Sequence, residues 1–451
     1  MPDRARLSRG DSSSFPGCGG INWQRGDPAA RKRGRTAGPA PMSEEDGMAR
    51  SASSSSKPAL EGGTPTRTEF LVFGKPTIGE EEIQEVAAAL RSGWIGSGPR
   101  VQTFEREFLS YIGGSHVVAV SSCTAALHLS LLAAGVVPGD EVVVPAMTFV
   151  ATASAVLHAG GTPVFADCDR STFNVTAASV AAAITPRTRA VVPVHFAGLP
   201  CPMDEILRVT GPAKIPVVED CAHCIEGTIG GRHAGTFGEF GAFSFYPTKN
   251  VTSIEGGMVV TGNAEAAERM RISRLHGLSR DAWKRFGGEG YRHYQAETLG
   301  YKYNMTDVQA AVGIHQLRRV ARNLEVRERI WRRYDEAFRS LPIALPAPPE
   351  NGVRHARHLY TFLLDPDRLR VSRDTVLEAI QKEGIGVGVH YIAVPLHPYY
   401  RDRFGLRGGM FPNAEYVSAR TLSVPLTPYL DDQDVEDVIT AVTKVLLYYS
   451  R

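Results

Sequence analysis

The sequence of 451 residues contains no run of about 18 apolar residues, the length a membrane-spanning helix needs, and no apolar stretch of the secretory kind. Cysteine is scarce. Cys18, Cys123, Cys168, Cys201, Cys221 and Cys224 are scattered along the chain, which argues against a disulfide scaffold and fits reduced thiols in the cytoplasm. An excess of one charge is also missing: 50 Lys and Arg oppose 48 Asp and Glu. Nothing in that balance calls for nucleic acid or a membrane surface as a partner. There is no repeat of fixed period. The one Cys-x-x-Cys pair, in "CAHC" (221–224), has no second pair at zinc spacing, so no metal is expected. What is left is a large globular enzyme, and because single cores stop growing near ~250 to 300 residues, two domains are expected.

Residues 1 to about 66 lack apolar periodicity and hold "SASSSS" (51–56) and the basic "RKRGR" (31–35). The composition predicts disorder rather than a nucleic-acid-binding arm. Met42 and Met48 lie inside this segment, so a real tail and a start assigned too far upstream both stay open. From residue 67 the pattern becomes regular. Helices are predicted over 80–93 and over "VQTFEREFLSYIG". Apolar strands are predicted at 116–120, 141–145, 162–167, 190–195, 215–220, 240–246 and 256–261. Short apolar strands alternating with helices predict an α/β fold with a mostly parallel sheet covered on both faces, and chemistry at the carboxyl ends of its strands. Residues 67–320 are expected to form this large domain. Residues 321–451, with a long charged helix, a strand in "HLYTFLLD" and helices in "SRDTVLEAIQKEG" and "DDQDVEDVITAVTKVLLYY", are expected to form a smaller α/β domain.

Three stretches carry chemistry. "SSCTAALHLSLLAAG" (121–135) follows a strand and opens a helix, so its free amides suit a phosphate, or an ordinary N-cap. "VVEDCAH" (217–223) puts Glu219 and Asp220 at the end of an apolar strand, where at least one carboxylate needs a partner: a heterocyclic nitrogen, a cap or a salt bridge. "SFYPTKN" (244–250) adds Lys249 just after another strand, and burial there turns a lysine toward a nucleophilic amine. A lysine, a carboxylate and a phosphate-binding helix start at the strand ends of one sheet suit pyridoxal 5'-phosphate.

The segments "PAMTFVATASAV", "PVFADCD", "VVPVHFAG", "VVEDCAHCIEG", "GTFGEFGAFSFYPTKNVTSIEGGMVVT" and "LGYKYNMTDVQAAVG" resemble the DegT/DnrJ/EryC1/StrS family of sugar-nucleotide aminotransferases over residues 70–448. The resemblance implies the fold type I architecture of pyridoxal phosphate-dependent transferases, aspartate aminotransferase-like, with a seven-stranded sheet. It implies Lys249 as the lysine that binds the aldehyde, Asp220 as partner of the pyridine nitrogen, and His223 near the phenolic oxygen. Phe149 is implied to stack on the ring, and Thr124, Ala125 and Ser244 to contact the phosphate. Asn304 is implied to reach the phosphate of a neighbouring subunit, hence a homodimer with active sites at the interface. Cys123 stands where relatives carry Gly or Ala, a change expected to be tolerated.

The reaction so implied is a two-stage transamination, with glutamate as donor, pyridoxamine phosphate as intermediate and Lys249 as proton carrier. The motif forms, including "GIGVGVHY" (384–391), look closest to members that aminate C4 of a UDP- or dTDP-linked 4-keto sugar, and His390 and Tyr391 are expected at the sugar. "FGGEGYRHYQ" (286–295) is read either as a lid over the nucleotide or as a surface loop. The alternatives are a C3-specific enzyme and a catalytically silent cofactor-binding regulator. Lys249 argues against a dehydratase, in which histidine takes its place, and Lys249 with Asp220 argues against the silent form.

Overall fold

The computed structural model describes residues 57–278 and 295–451. The disorder expected over residues 1–56, "RKRGR", and nearly all of the 286–295 loop lie outside the described residues. Residues 57–66, which the lack of apolar periodicity placed in the disordered segment, are ordered. The fully buried Glu383 carboxylate accepts from the amides of Ala59 at 2.7 Å and Thr66 at 2.8 Å, and from Lys444 Nζ at 2.9 Å. A strap held by hydrogen bonds leaves no periodic trace in sequence.

The main sheet is assembled from β1 (His116–Val120), β2 (Glu141–Pro145), β3 (Thr162–Ala166), β4 (Thr188–Val191) and β5 (Val218–Asp220). After a short hairpin, β6 (Thr228–Ile229) and β7 (Arg232–His233), come β8 (Phe240–Ser244) and β9 (Gly257–Thr261). β3, β2 and β4 run parallel. Parallel bridges Val191 to Val217 and Val194 to Asp220 join them to the order β5, β8, β9, β1. β9 alone runs antiparallel to its neighbours, so the expected mostly parallel seven-stranded sheet is what forms. β2 and β9 are buried along their whole length, as strands covered on both faces must be. β4 and β5 are shorter than the apolar runs predicted, because Pro193 and Pro216 offer no N–H to a ladder. The helix Cys123–Ala133 is buried from Ala125 to Leu131, an apolar cylinder under the sheet.

A second core is built on β10 (Ile343–Ala344), β12 (Tyr360–Leu364) and β13 (Thr421–Val424), while β11 (Val353–Arg354) pairs with β6. The helices Val320–Phe338, Arg373–Lys382 and Asp432–Tyr448 pack on this small sheet through Trp331, Tyr334, Phe338, Val376, Ile380, Val438 and Val442. Ser372 caps one of them by accepting from the Thr375 amide, as a serine before an apolar period predicts. Chain order and packing diverge at two points. Leu71 joins the smaller core, and Ala393, Val394, Tyr400, Ala414 and Val417 join the core of the large sheet.

Candidate active site

Because β5 and β8 are parallel neighbours and β1 points the same way, their carboxyl ends meet at one edge. Asp220 closes β5, Ser244 closes β8, and the helix after β1 begins there. Thr124, Asp220, His223, Ser244, Lys249, Phe149, His390 and Tyr391 line one cavity of about 520 Å³.

Glu219 and Asp220 solve the problem of adjacent buried acids in different ways. Glu219 accepts from the amides of Gly235 (2.8 Å), Phe237 (2.7 Å) and Gly238 (2.7 Å) and from His195 Nε2 (3.0 Å). Its oxygens are fully used in tying residues 235–238 to β5. Among the described residues Asp220 receives the Ala222 amide at 3.0 Å, the Thr152 hydroxyl at 2.9 Å and, weakly, the Cys123 thiol at 4.0 Å. No lysine or arginine of the described residues forms an ion pair with it. Burial pushes its pKa up, and the Ala222 and Thr152 bonds, Lys249 and His195 offset this in part. A carboxylate left in that state is poised for a cationic ring nitrogen.

Lys249 is placed by a tight turn, its amide donating to the Tyr246 carbonyl at 2.9 Å with Pro247 inside the turn. Desolvation lowers its pKa to about 8, against the pull of Cys123 and Asp220. Near neutral pH a far larger share of this amine is therefore neutral and nucleophilic than of an exposed lysine. The rate at which pyridoxal phosphate attaches to apo-protein, trapped by borohydride, is expected to rise about tenfold per pH unit up to about 8 and then to level off. A rate still climbing at pH 10, after correction for the cofactor's own ionisations with a free amine, would contradict this assignment.

His223 also lines the cavity. The Ala197 amide donates to its Nδ1 at 3.2 Å, and an amide can only donate, so the ring proton sits on Nε2. Nε2 is 3.0 Å from the Tyr391 hydroxyl, so His223 donates to the phenolic oxygen. The proton of Tyr391 is thereby free to point into the cavity. Burial, with Lys249, His358 and His390 nearby, holds the His223 pKa well below the ordinary value, and the ring stays neutral. Phe149 is 55% exposed and its ring lies 5.6 Å from Tyr391, an open aromatic face on the cavity.

The start of the helix Cys123–Ala133, whose first amides have no intrahelical carbonyl to reach, could hold a phosphate. A Cβ on Gly257 would sit 2.4 Å from the Ser122 carbonyl oxygen, so only glycine lets β9 pass this close. Ala125 departs from expectation. Its amide is taken by Ser122 Oγ at 3.1 Å, and the residue is buried and outside the cavity lining. Asn304 is also outside the lining; its Nδ2 donates to Ser97 Oγ at 2.8 Å. Sequence reading missed Thr152, Phe73 and His358, all of which line the cavity. Thr152 sits one residue after the "VA" of "MTFVAT", and a hydroxyl in an apolar helix was the signal available.

Pyridoxal 5'-phosphate carries an aldehyde for a lysine, a ring nitrogen for a carboxylate and a phosphate for a helix start, and these residues fit all three. Fold and site together thus define a pyridoxal phosphate-dependent transaminase of fold type I. Residues 76–443 match the DegT/DnrJ/EryC1/StrS aminotransferase family, and the chain belongs to it. The spore coat polysaccharide biosynthesis protein SpsC of Bacillus subtilis (strain 168) is 47% identical over 381 residues, covering 84% of this chain and 98% of that protein. Among solved structures, Spr1654 of Streptococcus pneumoniae in its PLP form is 33% identical with a TM-score of 0.78, covering 84% of this chain and 100% of its own. The Helicobacter pylori PseC aminotransferase, involved in pseudoaminic acid biosynthesis, is 26% identical with a TM-score of 0.77, over 84% of this chain and 99% of its own. The enzyme is a sugar aminotransferase.

Proposed function

We propose that the enzyme moves an amino group from glutamate to C4 of a UDP- or dTDP-linked keto-sugar, yielding an amino sugar for a glycan or secondary metabolite. The observation that carries the reaction is the meeting in one cavity of the Lys249 amine, which burial brings to pKa about 8, with the buried Asp220 carboxylate, which has no ion pair among the described residues. When bound, pyridoxal phosphate supplies an electrophilic carbonyl and an electron-withdrawing ring. Asp220 would pair with the ring nitrogen, Phe149 would stack on the ring, and Ser244 and the Thr124 amide would hold the phosphate. Lys249 Nζ would carry the proton off the donor carbon that gives up its nitrogen and, in the second half-reaction, deliver one to the sugar carbon that gains it. His390 and Tyr391 on the cavity wall support a sugar contact, and the form of "GIGVGVHY" supports C4.

We further propose a cytoplasmic homodimer in which Asn304 serves the partner's phosphate. Its placement off its own cavity and the unpaired state of all five described cysteines support this. No helix of the described residues is long and apolar enough to cross a membrane. We keep residues 67–320 as the cofactor-binding domain and 321–451 as the smaller one, with the two exchanges of core residues noted above. To test the substrate, nucleotide-linked 4-keto and 3-keto sugars are offered with glutamate, and the product is identified by NMR. An amine at C4 is expected; an amine at C3, or no product from any of them, overturns the proposal.

A further inference from the structure

A second histidine of the cavity has its proton fixed by a buried chain of bonds. Arg327 and Glu226 are each 1% exposed; the guanidinium donates to one carboxylate oxygen, and Asn250 Nδ2 donates to the other at 2.7 Å. The same Nδ2 donates to the Ala356 carbonyl at 2.8 Å. A carbonyl only accepts, so the side-chain amide of Asn250 has one allowed orientation, with Oδ1 turned to His358. His358 Nδ1 lies 3.0 Å from that oxygen and must carry the ring proton. His358 lines the cavity, and its Nε2, with no hydrogen-bond partner among the described residues, is therefore a bare lone pair.

His223 and His358 thus sit 4.6 Å apart, ring to ring, in opposite tautomers. One donates through Nε2 and the other accepts there. Ala197 ties both, its amide to the His223 ring and its carbonyl to the His358 amide at 3.1 Å. A neutral lone pair repels the carboxylates of glutamate and accepts from a hydroxyl; the sugar carries hydroxyls, whereas the one N–H donor group of glutamate is its amino group, which must reach the reacting carbonyl. We propose that His358 Nε2 is a specificity contact of the keto-sugar, accepting a hydrogen bond from one of its hydroxyls, and that Asn250 is the positioning residue that keeps the lone pair there. This rests on the sugar reading above. Burial, with Lys249, His390, Arg327 and His355 nearby, holds the ring well below the ordinary histidine pKa, so the acceptor persists at neutral pH.

Two measurements on the holoenzyme test this. In protein with 15N-labelled histidine, the His358 resonances, assigned by their loss in His358→Gln, are expected to show Nε2 unprotonated and Nδ1 protonated. The reverse tautomer overturns the proposal. In single-turnover assays of the pyridoxamine phosphate form, His358→Phe keeps the ring against His223 but lacks the acceptor, and is expected to weaken keto-sugar binding about tenfold. The glutamate half-reaction is expected to stay within about twofold. His358→Gln, which restores an acceptor, is expected to recover most of the loss, and Asn250→Ala to lie between wild type and His358→Phe. Equal weakening of both half-reactions, or none with the sugar, overturns the contact. If wild-type enzyme converts no nucleotide-linked keto-sugar, the sugar reading fails and takes the contact with it; if it converts one and His358→Phe matches it, only the contact fails.

Discussion

Lys249→Ala is expected to lower turnover by about 10³-fold or more, because one side chain supplies both the nucleophile and the proton carrier. The fold is expected to survive. The removed amine lies on a cavity wall and forms no ion pair among the described residues, so far-UV circular dichroism of the variant should match the wild type. Borohydride reduction with pyridoxal phosphate is expected to label the wild-type peptide containing residue 249 and to leave that peptide unlabelled in the variant. Turnover sustained by Lys249→Ala would falsify the assignment. The same variant examines the shared site. Mixed with Asn304→Ala chains and reassorted, it forms heterodimers with one intact site, and activity should recover to about a quarter of the wild-type level if the dimer exchanges residues across its symmetry axis. No recovery above the parents removes Asn304 from the partner's site.

Asp220→Asn is expected to have the second largest effect, a fall in kcat of about 10²-fold or more, since a preorganised charge aimed at the ring is lost while shape is kept. Asn can still accept from the Ala222 amide and bond Thr152, which hold Asp220 at 3.0 and 2.9 Å. The charge itself is a liability to the empty protein. With the folded pKa of Asp220 raised, stability is lost as pH climbs from the unfolded carboxylate value through the folded one. The apo form of Asp220→Asn should therefore melt at or above the temperature of apo wild type at pH 7, even as catalysis collapses. An apo variant that melts lower, or a kcat within tenfold of wild type, contradicts the role given to Asp220.

How far the site was legible follows from how local each signal is. Lys249 and Asp220 stand at the ends of apolar runs, and strand ends are where a parallel sheet gathers its chemistry; Ser244 was placed by motif resemblance. Phe149, His223, His390 and Tyr391 were placed by motif resemblance, and the cavity gathers all four. Ala125 was read as a phosphate contact from its position in the same motif, yet the cap made by Ser122 consumes its amide. Which of two neighbouring amides is free depends on a side-chain torsion that no motif records.

By itself the sequence determined the parallel sheet and the cofactor and singled out Lys249 and Asp220, which the fold brings to one cavity, because apolar periodicity and a lysine or carboxylate at a strand end are properties of short windows. Tertiary structure alone decided the protonation of the cavity wall. The proton of His358 is set by Ala356 through Asn250, 106 residues from that carbonyl in the chain, and the proton of His223 by Ala197. Hydrogen bonds select a tautomer by distance and direction in space, and no pattern along the chain encodes either.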